Sequence, residues 1–135
     1  MNTYIDAQAT FEILRFLETS KSQSEFILDS LPGLFLITDS RGLILRGNRH
    51  AAELLKVNFE NLIGQLFSRT MASAWVEFSK KMVESKKFPL EGIDFKMAIS
   101  DGDLSQKYSL WNIRPLSVVG HDGSDLNIYL IFGRG

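Results

Sequence analysis

The chain has 135 residues, of which 44% are hydrophobic, 23% charged and 11% aromatic. That is the composition of one globular domain with a real core, and it excludes disordered, collagen-like and low-complexity classes. Fifteen basic against sixteen acidic residues leave a net charge of −1, so no broad cationic field exists to hold nucleic acid or an anionic membrane. The absence of cysteine excludes disulfides, thiolate metal sites, cysteine nucleophiles and cysteinyl cofactor adducts, and it suits a cytoplasmic protein.

In chain order, Asn2 to Ser30 contains no Gly or Pro and reads as helix. Ile13, Leu17, Ile27 and Leu31 form a leaky heptad seam, and Thr19–Ser24 is polar enough to divide it. Phe11, Ile13, Leu14 and Leu17 give this helix more apolar surface than a solvated helix should display, so a dimer through it is expected. Leu31-Pro32-Gly33 ends it, because the residue before proline is pushed out of the helical region. Leu34–Thr38 and Leu43–Arg46 read as a β-hairpin around Asp39-Ser40-Arg41-Gly42, a type I turn pattern. Asn48 suits the N-cap of a short helix carrying Ala51, Ala52, Leu54 and Leu55. Asn58–Gly64 reads as a turn with a helical fragment.

Ser68–Lys87 is the clearest helix. Met71, Trp75, Phe78 and Met82 step by four, three and four into one apolar stripe. Ile93, Phe95, Met97 and Ile99 alternate with polar or small residues, a half-buried strand. Tyr108–Val119 is a longer strand, and Pro115 assigns that stretch to a sheet edge or a bulge. Asn127–Phe132 is the last strand. This order argues for an α+β domain, a five-stranded antiparallel sheet with helices on one face, preceded by the N-terminal helix.

From about Ile27 to Gly135 the chain resembles a PAS domain. The resemblance is carried by Leu31-Pro32, then Asp39, Gly42, Ile44 and Asn48, then Ala51, Ala52 and Leu55, then Leu62-Ile63-Gly64. It continues through Trp111-Asn112-Ile113-Arg114-Pro115-Leu116 and Leu126–Gly133. Two features depart from the family: Lys56-Val57 stand where a Gly and an aromatic are common, and the chain stops at Gly135, where a junction to an effector would begin. The resemblance implies residues 1–26 as a flanking, dimerising helix and residues 27–135 as the PAS domain. It further implies a non-enzymatic sensor, such as the regulatory part of a histidine kinase or cyclase, that passes a change to an effector in a longer parent protein.

In such a fold the long helix faces the sheet. Met71, Trp75, Phe78, Met82, Phe95, Met97 and Trp111 then become candidate walls of a pocket for a small molecule or cofactor, with Asn112 either a polar group to orient it or a residue of the opposite, solvent face. The bland alternative is core packing, giving a ligand-free PAS module for dimerisation and relay. His50 and His121 fall on a short helix and in a turn, and the long helix has no histidine, which argues against histidine-ligated haem. Cysteinyl-flavin is excluded, and non-covalent flavin stays open. No Gly-x-Ser-x-Gly elbow or phosphate loop is present. Asp101, Asp103, Asp122 and Asp125 read as turn residues, so no metal site is expected. A small α+β enzyme with a hydrophobic cavity is the third reading.

Overall fold

The computed structural model of the chain describes residues 28–100, 106–119 and 125–135. The candidate dimer residues Phe11, Ile13, Leu14 and Leu17, together with His121, Asp101, Asp103 and Asp122, lie outside the described residues. Of the segment expected to be the N-terminal helix, the described residues are 28–30: Leu28 and Asp29 are helical, and Leu31-Pro32-Gly33 breaks the chain away.

The hairpin forms where the turn residues place it. Strands β1 (Leu34–Asp39) and β2 (Ile44–Gly47) pair antiparallel. The Gly42 amide closes the turn on the Asp39 carbonyl at 3.1 Å. Asp39 Oδ1 accepts from the amides of Arg41 (2.9 Å) and Leu43 (3.0 Å). Burial pushes the Asp39 carboxyl up, but donation from Leu43 and Arg41 outweighs it and holds the group below its ordinary value. A bulge between Ile37 and Thr38 puts Leu45 and Arg46 together against one partner.

Helix α1 (Arg49–Leu55) follows, capped by Asn48 as expected. It ends at Lys56, which adopts the left-handed conformation at φ 58° and ψ 43°. A 3-10 turn at Phe59–Asn61 leads through Gly64 (φ +95°) to α2 (Phe67–Thr70) and α3 (Ala72–Ser85). The single long helix expected from Ser68 is therefore two. Met71, at φ −125° and ψ 53°, leaves the helical region, although its amide still reaches the Phe67 carbonyl and its carbonyl accepts from Trp75. The side chains consequently keep the helical spacing across the break.

Strands β3 (Ile93–Ser100), β4 (Gln106–Val119) and β5 (Asp125–Arg134) complete a five-stranded sheet in the order β2-β1-β5-β4-β3, every pair antiparallel. Pro115 sits in β4, between two neighbours in the sheet order, yet the edge expectation is met locally. Pairing with β3 ends at Ile93–Ile113, so beyond Ile113 one side of β4 has no ladder partner. Proline's missing N–H is tolerated there.

The sheet buries both faces. On the inner face Leu34, Leu36, Ile44, Trp111, Ile113, Tyr129 and Ile131 join α1, α2 and α3 in one cluster. On the outer face Phe35, Ile37, Ile128, Leu130 and Phe132 form a second cluster with Leu28. The α+β architecture read from the element order is the one observed.

Candidate functional site

The inner layer is organised around Phe78. Its ring is fully buried and makes edge contacts with three others: Phe67 at 4.9 Å, Trp111 at 5.0 Å and Phe95 at 5.6 Å between centroids. Interplanar angles of 75–87° put ring edges on ring faces, the favourable quadrupole arrangement. Trp75 joins through Phe67 at 6.1 Å and Tyr108 through Trp111 at 5.8 Å. Met82 is buried in the same cluster, while Met71, Trp75, Phe95 and Met97 pack against it half-buried. The layer is filled with rings at its centre and partly open at its rim.

Two backbone features make room for this. Gly133 stands directly opposite Trp111 in the β4–β5 register, and a Cβ there would come within 2.6 Å of the indole. Irregular pairing of β3 between Lys96 and Ile99 leaves the Met97 carbonyl to accept from Trp111 Nε1 at 2.8 Å. The indole is thus 2% exposed with its one donor satisfied. Gly42, at φ +89°, brings the hairpin turn against the Trp75 ring, with 3.0 Å left for a Cβ.

Seven of the eight candidate pocket residues therefore belong to one layer between α2, α3 and the sheet. Asn112 does not. It pairs with Phe132 and Asp94 and lies on the outer face, fully buried. Its Nδ2 donates to Asp94 Oδ1 (2.7 Å) and to the Glu91 carbonyl (3.1 Å), while its Oδ1 accepts from Arg114 Nε (3.2 Å). Arg114 is 3% exposed, with its guanidinium 5.9 Å from the Phe132 ring. Asn112 is placed to bridge an acid and a guanidinium across β3 and β4, with its back to the ring layer.

Phe67 is the layer residue that sequence reasoning missed. It stands four positions before Met71, so the stripe extends one turn further back than the helix was drawn. Asn48 also does more than cap. Its Oδ1 accepts from the amides of Phe35 (3.1 Å) and Ala51 (3.2 Å), and its Nδ2 donates to the carbonyls of Leu28 (3.1 Å) and Gly33 (2.8 Å). One fully buried amide thereby ties the end of the N-terminal segment, the start of β1 and the start of α1. Asp29 reinforces the junction by accepting from the Arg49 amide and Nε at 2.9 and 3.0 Å.

Among the described residues no group of three or more His, Asp or Glu is arranged to hold a metal ion. His50 is half-buried on α1. No helix among the described residues is long and apolar enough to cross a membrane.

This sheet order, with helices stacked on the inner face and a connecting segment tied to the outer one, is the architecture of a PAS domain, and solved structures similar to the chain bear this out. The PAS domain of an HTR-like protein from Haloarcula marismortui is 15% identical over 92% of this chain and 98% of its own, with a TM-score of 0.57. The PAS domain of Bordetella pertussis BvgS is 12% identical, covering 84% of each chain, with a TM-score of 0.54. Vibrio cholerae VqmA is 17% identical over 86% of this chain and reaches a TM-score of 0.63, but only 52% of the VqmA chain is covered. The chain thus spans about half the length of that relative. No protein-family model matches the chain, and no curated protein matches it. The chain has the PAS fold.

Proposed function

We propose that the chain is a non-enzymatic PAS sensory and signal-transduction module, acting in the cytoplasm as part of a longer protein. Residues 27–135 are the sensing domain and residues 1–26 a flanking helix that pairs two copies. A small molecule or cofactor is received between α3 and the sheet, and the change passes through the flank to an effector. No nucleic acid and no membrane insertion are assigned to this segment.

The observation that carries this reading is the contrast between the buried Phe78 and its half-buried surround of Met71, Trp75, Phe95 and Met97. Met side chains repack at low cost, so a layer rimmed by them admits an apolar guest by rotamer change. The similar VqmA chain has been solved bound to DPO, which supports ligand binding as a use of the fold. A heterocycle as broad as a flavin would require Phe78 to leave its three ring contacts. A compact ligand fits the rim better. The Asn48 junction supplies a route outward, because it links the inner helix α1 to Leu28, where the flank meets the outer face.

The experiment is an absorption spectrum of freshly purified protein and mass spectrometry of its denatured extract. A thermal-shift screen of small aromatic and acyl compounds then compares wild type with Met97→Leu, a swap costing below ~1.5 kcal/mol. The expected outcome is a ligand that raises the melting temperature by mass action and whose affinity changes in Met97→Leu. A bare extract together with a silent screen would leave the ligand-free dimerisation and relay reading, which the ring-filled centre favours. Light scattering tests the flank: a micromolar dimer is expected, weakened by deletion of residues 1–25, and a monomeric full chain rejects it.

A further inference from the structure

A groove of about 240 Å³ opens at the end of the domain where α3 stops, away from the ring layer. Its floor is the inner side of β4 and β5 beyond the reach of β3, where Pro115 pairs with Tyr129 and Ser117 with Asn127. Its lip is the C-terminal end of α3, with Lys86 at the cap and Pro89 just beyond. The groove exists because β3 starts only at Ile93 and α3 ends at Ser85, so neither element covers this corner.

The lining is chemically mixed in a definite way. Pro89, Pro115 and the Tyr129 ring supply flat apolar walls, and Tyr129 is only 2% exposed. Ser117 Oγ and Asn127 Oδ1 stand 3.4 Å apart at the mouth. Lys86 is exposed and forms no ion pair with any described residue. One strand further in, directly opposite Tyr129, Thr38 is fully buried and its Oγ1 has no hydrogen-bond partner among the described residues. Thr38 itself does not line the groove.

The geometry points to a second ligand site here, for a small carboxylate with a compact apolar body. The ammonium of Lys86 meets the carboxylate, the Nδ2 amide of Asn127 donates to it while the Ser117 hydroxyl stays on Asn127 Oδ1, and the proline and tyrosine faces receive the apolar part. A phosphate suits it poorly, since it would leave those faces uncovered and bring a second charge to a site with one lining cation. The negative end of the α3 dipole opposes any anion, so binding is weak, and Lys86 is what makes it favourable. The volume lies below the ~300–1,000 Å³ of sites for drug-sized ligands, which limits the guest to a small acid.

Benzoate is the probe, with benzamide and inorganic phosphate as controls, titrated into the full-length protein and followed by amide chemical shifts. Benzoate is expected to perturb Lys86, Ser117, Asn127 and Tyr129, with benzamide and phosphate much weaker. Lys86→Gln, an exposed change that leaves the fold intact, is expected to weaken benzoate about tenfold, the usual loss of one charged hydrogen bond. Met97→Leu leaves it unchanged, which separates this site from the ring layer. Equal binding of benzamide, undiminished binding to Lys86→Gln, or no shift at these residues overturns the assignment.

Discussion

The two faces of the sheet are both buried, but they solve burial differently. The inner face does it with rings: Phe78 meets Phe67, Phe95 and Trp111 edge to face, Tyr108 tilts against Trp111, and the Trp111 indole N–H ends on the Met97 carbonyl. The outer face mixes an apolar patch, where Phe35 and Phe132 lie 5.0 Å apart, with the polar line Asp94–Asn112–Arg114. Met71 and Met97 at the rim of the ring layer repack at low cost. Asn112 and Arg114 are buried in a hydrogen-bonded line that ends on the exposed Asp94, and such directional contacts resist rearrangement. The inner layer is therefore the more adaptable of the two, and the outer line the stiffer.

The largest expected effect tests the inner layer. Phe78→Ala removes the ring on which three others rest and should cost about 3–5 kcal/mol, read as a lower denaturation midpoint. If the cavity it leaves then binds small aromatics in a thermal-shift assay, the surround keeps its shape and the layer is less adaptable than argued. A loss well below this range would mean that the surrounding Met and Trp side chains collapse into the space.

Asn48 joins the two faces, and its removal comes next. Asn48→Ala strips acceptors from the amides of Phe35 and Ala51 and donors from the Leu28 and Gly33 carbonyls. With unmet buried groups costing about 1–3 kcal/mol each and some regained by water, a loss of about 2–4 kcal/mol is expected. Hydrogen exchange should show faster opening at Phe35 and Ala51 before the rest of the sheet. Uniform loss of protection would show that the junction is not a separate unit.

On the outer face, Asn112→Ala leaves Asp94 and Arg114 without their bridge and should cost about 1–3 kcal/mol. Asn112→Asp sharpens the point, since it sets a carboxylate beside Asp94 while offering Arg114 a better acceptor. The expected result is a stability that falls with rising pH relative to wild type, as the two acids ionise together. Neither variant should alter the binding of a ligand in the ring layer. Altered binding with unchanged stability would return Asn112 to the pocket.

The legible parts were those with a short sequence period. The hairpin turn, the Asn48 cap and the Met71–Trp75–Phe78–Met82 stripe each depend on residues within a few positions of one another. Phe67 was hidden because Met71 breaks the helix, although the stripe's spacing already ran through it. Asn112 was misplaced against a rule available in the sequence: strand neighbours face opposite ways, so Trp111 and Asn112 cannot line one pocket. The partners of Asn48 are of another kind. Leu28 and Phe35 lie 20 and 13 positions away, and only the folded sheet brings their backbone groups to one amide. The same holds for the groove beside Lys86, which arises from where β3 starts and α3 stops rather than from a motif.

The smallest effect concerns the end of α1. Lys56 holds a left-handed backbone at φ 58° with no glycine to relieve it, at the position where PAS-like sequences commonly carry Gly. A Cβ in that region costs about 1–2 kcal/mol, while glycine in turn costs more entropy on folding. The two terms nearly offset, leaving Lys56→Gly more stable by up to ~1 kcal/mol. Lys56 is exposed and its neighbour Val57 packs against the inner cluster, so the substitution touches the ring layer only through the backbone. A raised urea midpoint at unchanged slope is the expected result. A lowered midpoint would mean that the lysine stem covers enough apolar surface near Val57 to outweigh its strained backbone.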